Sequence, residues 1–160
     1  MENELELIKR AWKRVSPETD APAPASAAPE DTEQLAAFIR EEQADAAVYE
    51  MLARRTRDRQ AAAFFRAAAR DERAHAAAQQ TVYFLLTGDT CRVRPGTQKA
   101  PALLPALRER YREEKAGAAA YRKAADAAES AELAALWHAC AADEEKHAAA
   151  LRTLIGRLLR

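Results

Sequence analysis

The chain has 160 residues, enough for one domain with a short appendage. Its hydrophobic content of 49% is largely alanine, only four residues are glycine and 31% are charged, a balance that favours an all-helical protein. The net charge of zero gives no support to a nucleic-acid partner, no apolar run is long enough for a transmembrane span, and two cysteines cannot form a four-cysteine metal knuckle.

The first part of the chain is predicted to be an appendage. Apolar residues recur every three or four positions from Leu5 to Val15, which predicts an amphipathic helix over residues 1–16. Residues 17–31 contain four prolines and are typical of a linker. The helix would pack on the main domain or on a second subunit of a homodimer, or alternatively dock on a partner or membrane surface. The acidic N-terminus has no secretory signal, so a cytoplasmic location is expected.

Residues 32–160 are predicted to form a domain of four long helices. The periodicity of apolar residues places them at about 32–56, 59–86, 102–128 and 131–159. Gly88 is expected to end the second helix as its C-terminal cap. Residues 88–101 contain two glycines and two prolines without a periodic pattern, and therefore predict a loop.

A pattern of acids, tyrosines and histidines occurs twice in this domain, with one constant offset between all equivalent positions. Each copy has a glutamate, a tyrosine at the seventh position after it, and a Glu-x-x-His unit on the next helix, and the key glutamates lie on apolar stripes. Buried carboxylates are costly unless they are paired or bind metal. Glu41 and Glu113 point about 100° away from these stripes and are predicted to lie on the surface. The candidate residues are Glu42, Tyr49, Glu72 and His75, and Glu114, Tyr121, Glu144 and His147.

The spacing predicts that the two copies converge. In each antiparallel hairpin, the two glutamates are equally distant from the turn and so lie at the same height. Fourteen loop residues span roughly 46 Å when extended, which is enough to cross a bundle of such helices. A crossover between the second and third helices gives the ferritin-like four-helix bundle, in which two helices supply Glu and two supply Glu-x-x-His. Four carboxylates and two imidazoles match two iron ions, with manganese as the alternative, rather than zinc or calcium.

These residues resemble the ferritin-like di-iron carboxylate proteins, and within them the rubrerythrin-like domains, over about residues 32–159. The resemblance implies that the four glutamates and two histidines ligate iron, with Glu72 and Glu144 bridging the two ions. It also implies that Tyr49 and Tyr121 hydrogen-bond near the ligands or act in redox chemistry. Two features depart from rubrerythrins proper: the four cysteines of a rubredoxin-type domain are missing, and Gly117 replaces an additional glutamate linked with peroxide reduction.

Two classes of function follow from the resemblance. The first is an oxidoreductase that oxidises Fe(II) with O2 or peroxide at the dinuclear site. The second is an iron-binding, storage or cargo module without turnover, tethered by its N-terminal helix. A bundle that keeps metal only for stability is a third reading, and the sequence leaves the choice among them open.

Overall fold

The computed structural model describes residues 29–93, 102–128 and 130–160, which form four α-helices. These are α1 (Pro29–Arg55), α2 (Arg59–Thr87), α3 (Leu103–Ala127) and α4 (Ala131–Leu158). No strand occurs in the described ranges, so the all-α prediction is confirmed. None of these helices is long and apolar enough to cross a membrane. The predicted N-terminal helix of residues 1–16 and the linker residues up to 28 lie outside the described part of the chain.

The predicted helix boundaries agree closely with the observed ones, except at the start of α1. That helix begins at Pro29 rather than near Thr32, so the end of the predicted linker is helical. Proline suits the first position of a helix because its φ is already helical and its missing N–H is not needed there.

Local contacts fix three other helix ends. Asp58 Oδ1 accepts backbone N–H bonds from Gln60 at 2.8 Å and from Ala61 at 3.1 Å, which caps α2. Ser130 Oγ accepts a backbone bond at 3.1 Å and caps α4 in the same way. Gly88 ends α2 with a φ of +72°, a conformation that glycine adopts without strain, and the predicted glycine cap is confirmed.

The chain divides into two compact units, which are described separately. The first unit holds the described residues up to Ala44 and those from Glu72 to residue 93. The second unit holds Asp45–Asp71 and the described residues from 102 onwards. α1 and α2 therefore each contribute one segment to each unit, while α3 and α4 belong to the second unit alone.

In the second unit, α3 and α4 form an antiparallel hairpin. Tyr121 stacks on Trp137 near the turn, with ring centroids 5.6 Å apart. Farther from the turn, Glu114 Oε2 lies 3.4 Å from His147 Nδ1. Both pairs are almost equally spaced about the α3–α4 turn, as the sequence spacing of the hairpin predicts.

The direction of α4 relative to α2 reveals the topology of the second unit. His147 contacts Asp71 at 3.3 Å, and Arg157, farther along α4, contacts Asp58 at 2.6 Å, so α4 is antiparallel to this α2 segment. Because α3 is antiparallel to α4, α3 and the α2 segment run in the same direction. Consecutive helices with one direction need a connection that returns along their length. The predicted crossover between the second and third helices is therefore confirmed.

Each unit has its own buried apolar residues. In the first unit, Leu35, Phe38 and Ile39 of α1 are buried. The second unit has a continuous core in which small alanines allow the helices to approach closely and larger side chains fill the space between them. Its members are Tyr49, Leu52, Ala53, Ala61, Phe65, Ala68, Ala69, Ala106, Leu107, Leu151 and Leu154.

Candidate metal centre

The glutamates that the sequence places on apolar stripes are buried in both units, with exposed fractions between 0% and 5%. Their neighbours Glu41 and Glu113 are exposed, so the choice of the inward acid in each Glu-Glu pair is confirmed. Helical geometry explains the difference, because adjacent residues point about 100° apart. The buried acids are Glu42, Glu72, Glu114 and Glu144.

In the first unit, Glu42, Glu72 and His75 form a cluster whose ligand atoms lie within 4.8 Å of one another. His75 Nδ1 is 3.5 Å from Glu42 Oε2 and 3.3 Å from Glu72 Oε2. Gln79, which is fully buried one turn after His75, donates from Nε2 to Glu42 Oε1 at 3.5 Å. The amide holds one oxygen of Glu42 while the other faces the histidine. We call Glu42, Glu72 and His75 the first cluster.

In the second unit, Glu114, Glu144 and His147 form the second cluster, again with ligand atoms within 4.8 Å of one another. His147 Nδ1 faces Glu114 Oε2 at 3.4 Å, and its Nε2 lies 3.3 Å from Asp71 Oδ2. A proton on Nε2 can be donated to Asp71, which leaves the Nδ1 lone pair directed at the carboxylates. This is the arrangement by which an acid outside the ligand set orients a metal-binding histidine.

The two predicted tyrosines are both buried, and each belongs to the second unit. The Tyr49 hydroxyl donates to Glu114 Oε1, so the expected hydrogen bond to a candidate ligand residue is found there. Tyr49 therefore holds the Glu114 oxygen that does not face His147. The ring of the second tyrosine, Tyr121, stacks on Trp137.

The donor chemistry of both clusters fits a transition-metal ion. Each cluster offers two carboxylates and one imidazole in a buried site, a mixture of oxygen and nitrogen that suits iron or manganese. Calcium would need more oxygens and no histidine. Burial raises the pKa of Glu42 to about 7, although the hydrogen bond and charge of His75 oppose the shift. A bound cation would remove that cost by compensating the buried negative charge.

Comparison with protein families identifies the family to which the chain belongs. The family model for Rubrerythrin matches residues 33–155. The chain belongs to the rubrerythrin family. Rubrerythrins usually bind two iron ions, and the buried carboxylate and histidine groups are compatible with di-iron binding. Family membership also agrees with the all-α, ferritin-like bundle predicted from the sequence. No curated protein sequence matches the chain significantly.

One buried charged residue near the second cluster is not among the residues predicted from the sequence. Arg110 is only 3% exposed, whereas the adjacent Tyr111 is half-buried. Arg110 lies one turn after Leu107 and one turn before Glu114, so it falls on the same face as both. A charged residue at such a position indicates a buried ion pair, and this spacing was the available signal.

The raised pKa of Glu42 predicts how the metal-free protein responds to pH. The folded-state value of about 7 exceeds the ordinary 4.5, so the folded state binds this proton more tightly than the unfolded state. The resulting stabilisation is complete below the ordinary pKa and is lost as the pH rises through about 7. Between pH 5 and pH 8, the free energy of unfolding should fall in both proteins or in wild type alone, and the fall should be roughly 2–3 kcal/mol larger in wild type than in Glu42→Gln. Urea unfolding of metal-free protein measures this, and Glu41→Gln should behave as wild type; equal pH dependence in all three would contradict it.

Gly117 of α3 gives a second test of the site. A Cβ added there would lie 3.6 Å from Cδ of Glu144, which is ordinary van der Waals contact. Gly117→Ala should therefore raise the free energy of unfolding by up to about 1 kcal/mol, because alanine loses less backbone entropy in a helix. Urea unfolding measures the change, and Gly156→Ala in α4, where nothing lies within 4 Å of the added Cβ, is the matched control. Destabilisation by Gly117→Ala alone would mean that Glu144 is packed more tightly than described.

Proposed function

We propose that this protein binds two iron ions with the first and second clusters as one dinuclear centre, and that it oxidises Fe(II) with O2 or peroxide. The observation that carries the proposal is the presence, on a rubrerythrin-family chain, of two buried clusters with the same donor set. Equivalent members are separated by the same constant offset in the sequence, so the two clusters supply matched ligands. Four carboxylates balance the charge of two divalent cations.

The residues of the clusters have distinct parts in this proposal. Glu42 and Glu114 would each offer metal the oxygen that faces a histidine, while Gln79 and Tyr49 hold the other oxygen. Glu72 and Glu144 would supply the other two carboxylates, in the bridging role that the family resemblance implies. His75 and His147 would offer Nδ1. Bound iron would supply the electrons that reduce the oxidant, and the low exposure of the ligands would keep bulk water away.

The alternative without turnover rests on the same ligands, so oxidation must be measured directly. Protein loaded anaerobically with Fe(II) is mixed with O2 or with hydrogen peroxide, and the formation of Fe(III) is followed by absorbance. We expect faster oxidation by wild type than by free Fe(II), and loss of this acceleration in Glu144→Gln. Glu145→Gln changes the exposed neighbour and should match wild type.

Each outcome separates the hypotheses. Bound iron that is oxidised no faster than free Fe(II) by either oxidant contradicts the oxidoreductase and favours the binding or storage module. Acceleration by O2 but not by peroxide would agree with glycine rather than glutamate at position 117.

Removal of residues 1–28 tests the proposed N-terminal tether. Loss of a partner or of a dimer supports the tether, and an unchanged assembly contradicts it.

A further inference from the structure

A single buried cation lies beside the second cluster. Among the described residues that are buried and charged, Arg110 is the only lysine or arginine. Its guanidinium pairs with Asp45 of α1 through Nη1, and with Glu113 of α3 through Nη2 at 2.6 Å. These two acids are partly exposed, so Arg110 reaches from the interior of the second unit to its surface. Burial opposes the charge of Arg110, but the ion pairs outweigh it and raise the pKa of the guanidinium.

The guanidinium also contacts the tyrosine that holds a ligand. Its Cζ lies 5.7 Å from the centroid of the Tyr49 ring, which is within the range of a cation–π interaction. The Tyr49 hydroxyl donates to Glu114 Oε1, and Glu114 Oε2 faces His147 Nδ1. A continuous set of contacts therefore runs from the Asp45–Arg110 pair through Tyr49 to the second cluster.

The residues of this ion pair are not part of the repeated sequence pattern. When the two copies are overlaid at their constant offset, Arg110 falls on Phe38, and Asp45 falls on Gly117. The candidate ligands recur in both copies, whereas neither Arg110 nor Asp45 does, so this ion pair has no equivalent at the matching positions. Since buried ion pairs are often no more stabilising than apolar residues of similar size, stability alone does not explain this one.

We propose that Arg110 is a positioning residue: fixed by Asp45 and Glu113, it holds the Tyr49 ring so that the hydroxyl engages one oxygen of Glu114 and leaves the other for metal. Phe64 and Phe65 also contact the Tyr49 ring, at centroid distances of 6.0 and 6.2 Å. They bury the ring, and the charged contact selects its orientation. The effect on metal rests on the proposed function, whereas the effect on Tyr49 does not.

The first experiment uses metal-free protein, so it is independent of iron. The Tyr49 hydroxyl proton is observed by NMR on protein with labelled tyrosine rings and assigned with Tyr49→Phe. In wild type this proton should be protected from exchange with water. In Arg110→Met its exchange with water should be about tenfold faster, since the desolvated contact between the guanidinium and the ring is lost. Arg112→Met, on the exposed side of α3, is the matched control and should leave the signal unchanged.

The second experiment titrates the same variants with Fe(II) under anaerobic conditions. Arg110→Met should weaken one of the two binding steps about tenfold, the effect typical of residues that orient metal ligands, and leave the other step unchanged. Arg110→Lys keeps the charge but cannot fork to two acids, so it should fold and lose most of the same protection and affinity. It serves in place of Arg110→Met if that variant does not fold.

Equal protection of the Tyr49 hydroxyl in wild type, Arg110→Lys and any folded Arg110→Met overturns the proposal, because the aromatic neighbours alone would then position the ring. Equal weakening of both Fe(II) steps also contradicts it, since a local effect on the second cluster is required. If wild type binds no Fe(II), the proposed function fails, while the NMR experiment still decides whether Arg110 positions Tyr49.

Discussion

Replacement of His147 with alanine is expected to lower the Fe(II) affinity of the protein by roughly a hundredfold or more, because it removes the only imidazole of the second cluster. The remaining donors would be the carboxylates of Glu114 and Glu144, which bind Fe(II) less well without nitrogen. Anaerobic titration with Fe(II), read by absorbance or calorimetry, measures the loss. The Asp71 carboxylate, 3.3 Å from His147 Nε2, would also lose the group that it orients.

The chain supplies a matched control for this change. His138 lies on the same helix and is exposed, so His138→Ala removes an imidazole of the same kind without touching either cluster. It should bind Fe(II) as wild type does. Equal affinity in His147→Ala and wild type would mean that the second cluster does not hold the metal.

Truncation of Phe65 is expected to give the largest loss of stability. Phe65 is fully buried in the core of the second unit. Its ring centroid lies 5.4 Å from that of Phe64 and 6.2 Å from that of Tyr49. Phe65→Ala should lower the free energy of unfolding by about 3–5 kcal/mol, since it removes apolar contacts and leaves a cavity. Urea unfolding of the metal-free protein measures the loss without a contribution from metal binding.

Phe84 provides the comparison on the same helix. It is 47% exposed, so Phe84→Ala should change the free energy of unfolding by about 0.5 kcal/mol or less. Similar effects of both substitutions would contradict the described core. A loss well below about 3 kcal/mol for Phe65→Ala alone would mean that the surrounding alanines collapse into the space.

The helices and the inward glutamates could be predicted because both follow from local periodicity. A carboxylate that recurs on an apolar stripe must be buried when the helix packs, and Glu42 and Glu114 are. The crossover was predictable from the length of the connection between α2 and α3. The start of α1 differs from the prediction because proline disrupts helix interiors, whereas Pro29 occupies the first helical position, which suits it.

The neighbours of the candidate ligands could not be predicted in the same way. Arg110 pairs with Asp45, which lies on a different helix far earlier in the chain, and no local pattern links the two. The contact between Asp71 and His147 likewise depends on α4 lying against α2. Only the packed helices decide which histidine each aspartate can reach.

Iron counted per chain, after anaerobic loading with Fe(II) and removal of free metal, tests the paired clusters most directly. We expect two iron ions in wild type and two in Glu41→Gln/Glu113→Gln, which changes the exposed acid of each Glu-Glu pair. Glu42→Gln/Glu114→Gln changes the buried acids and should hold fewer than one. Fewer than two ions in wild type, or equal loading of the two double variants, would contradict a dinuclear centre built from these clusters.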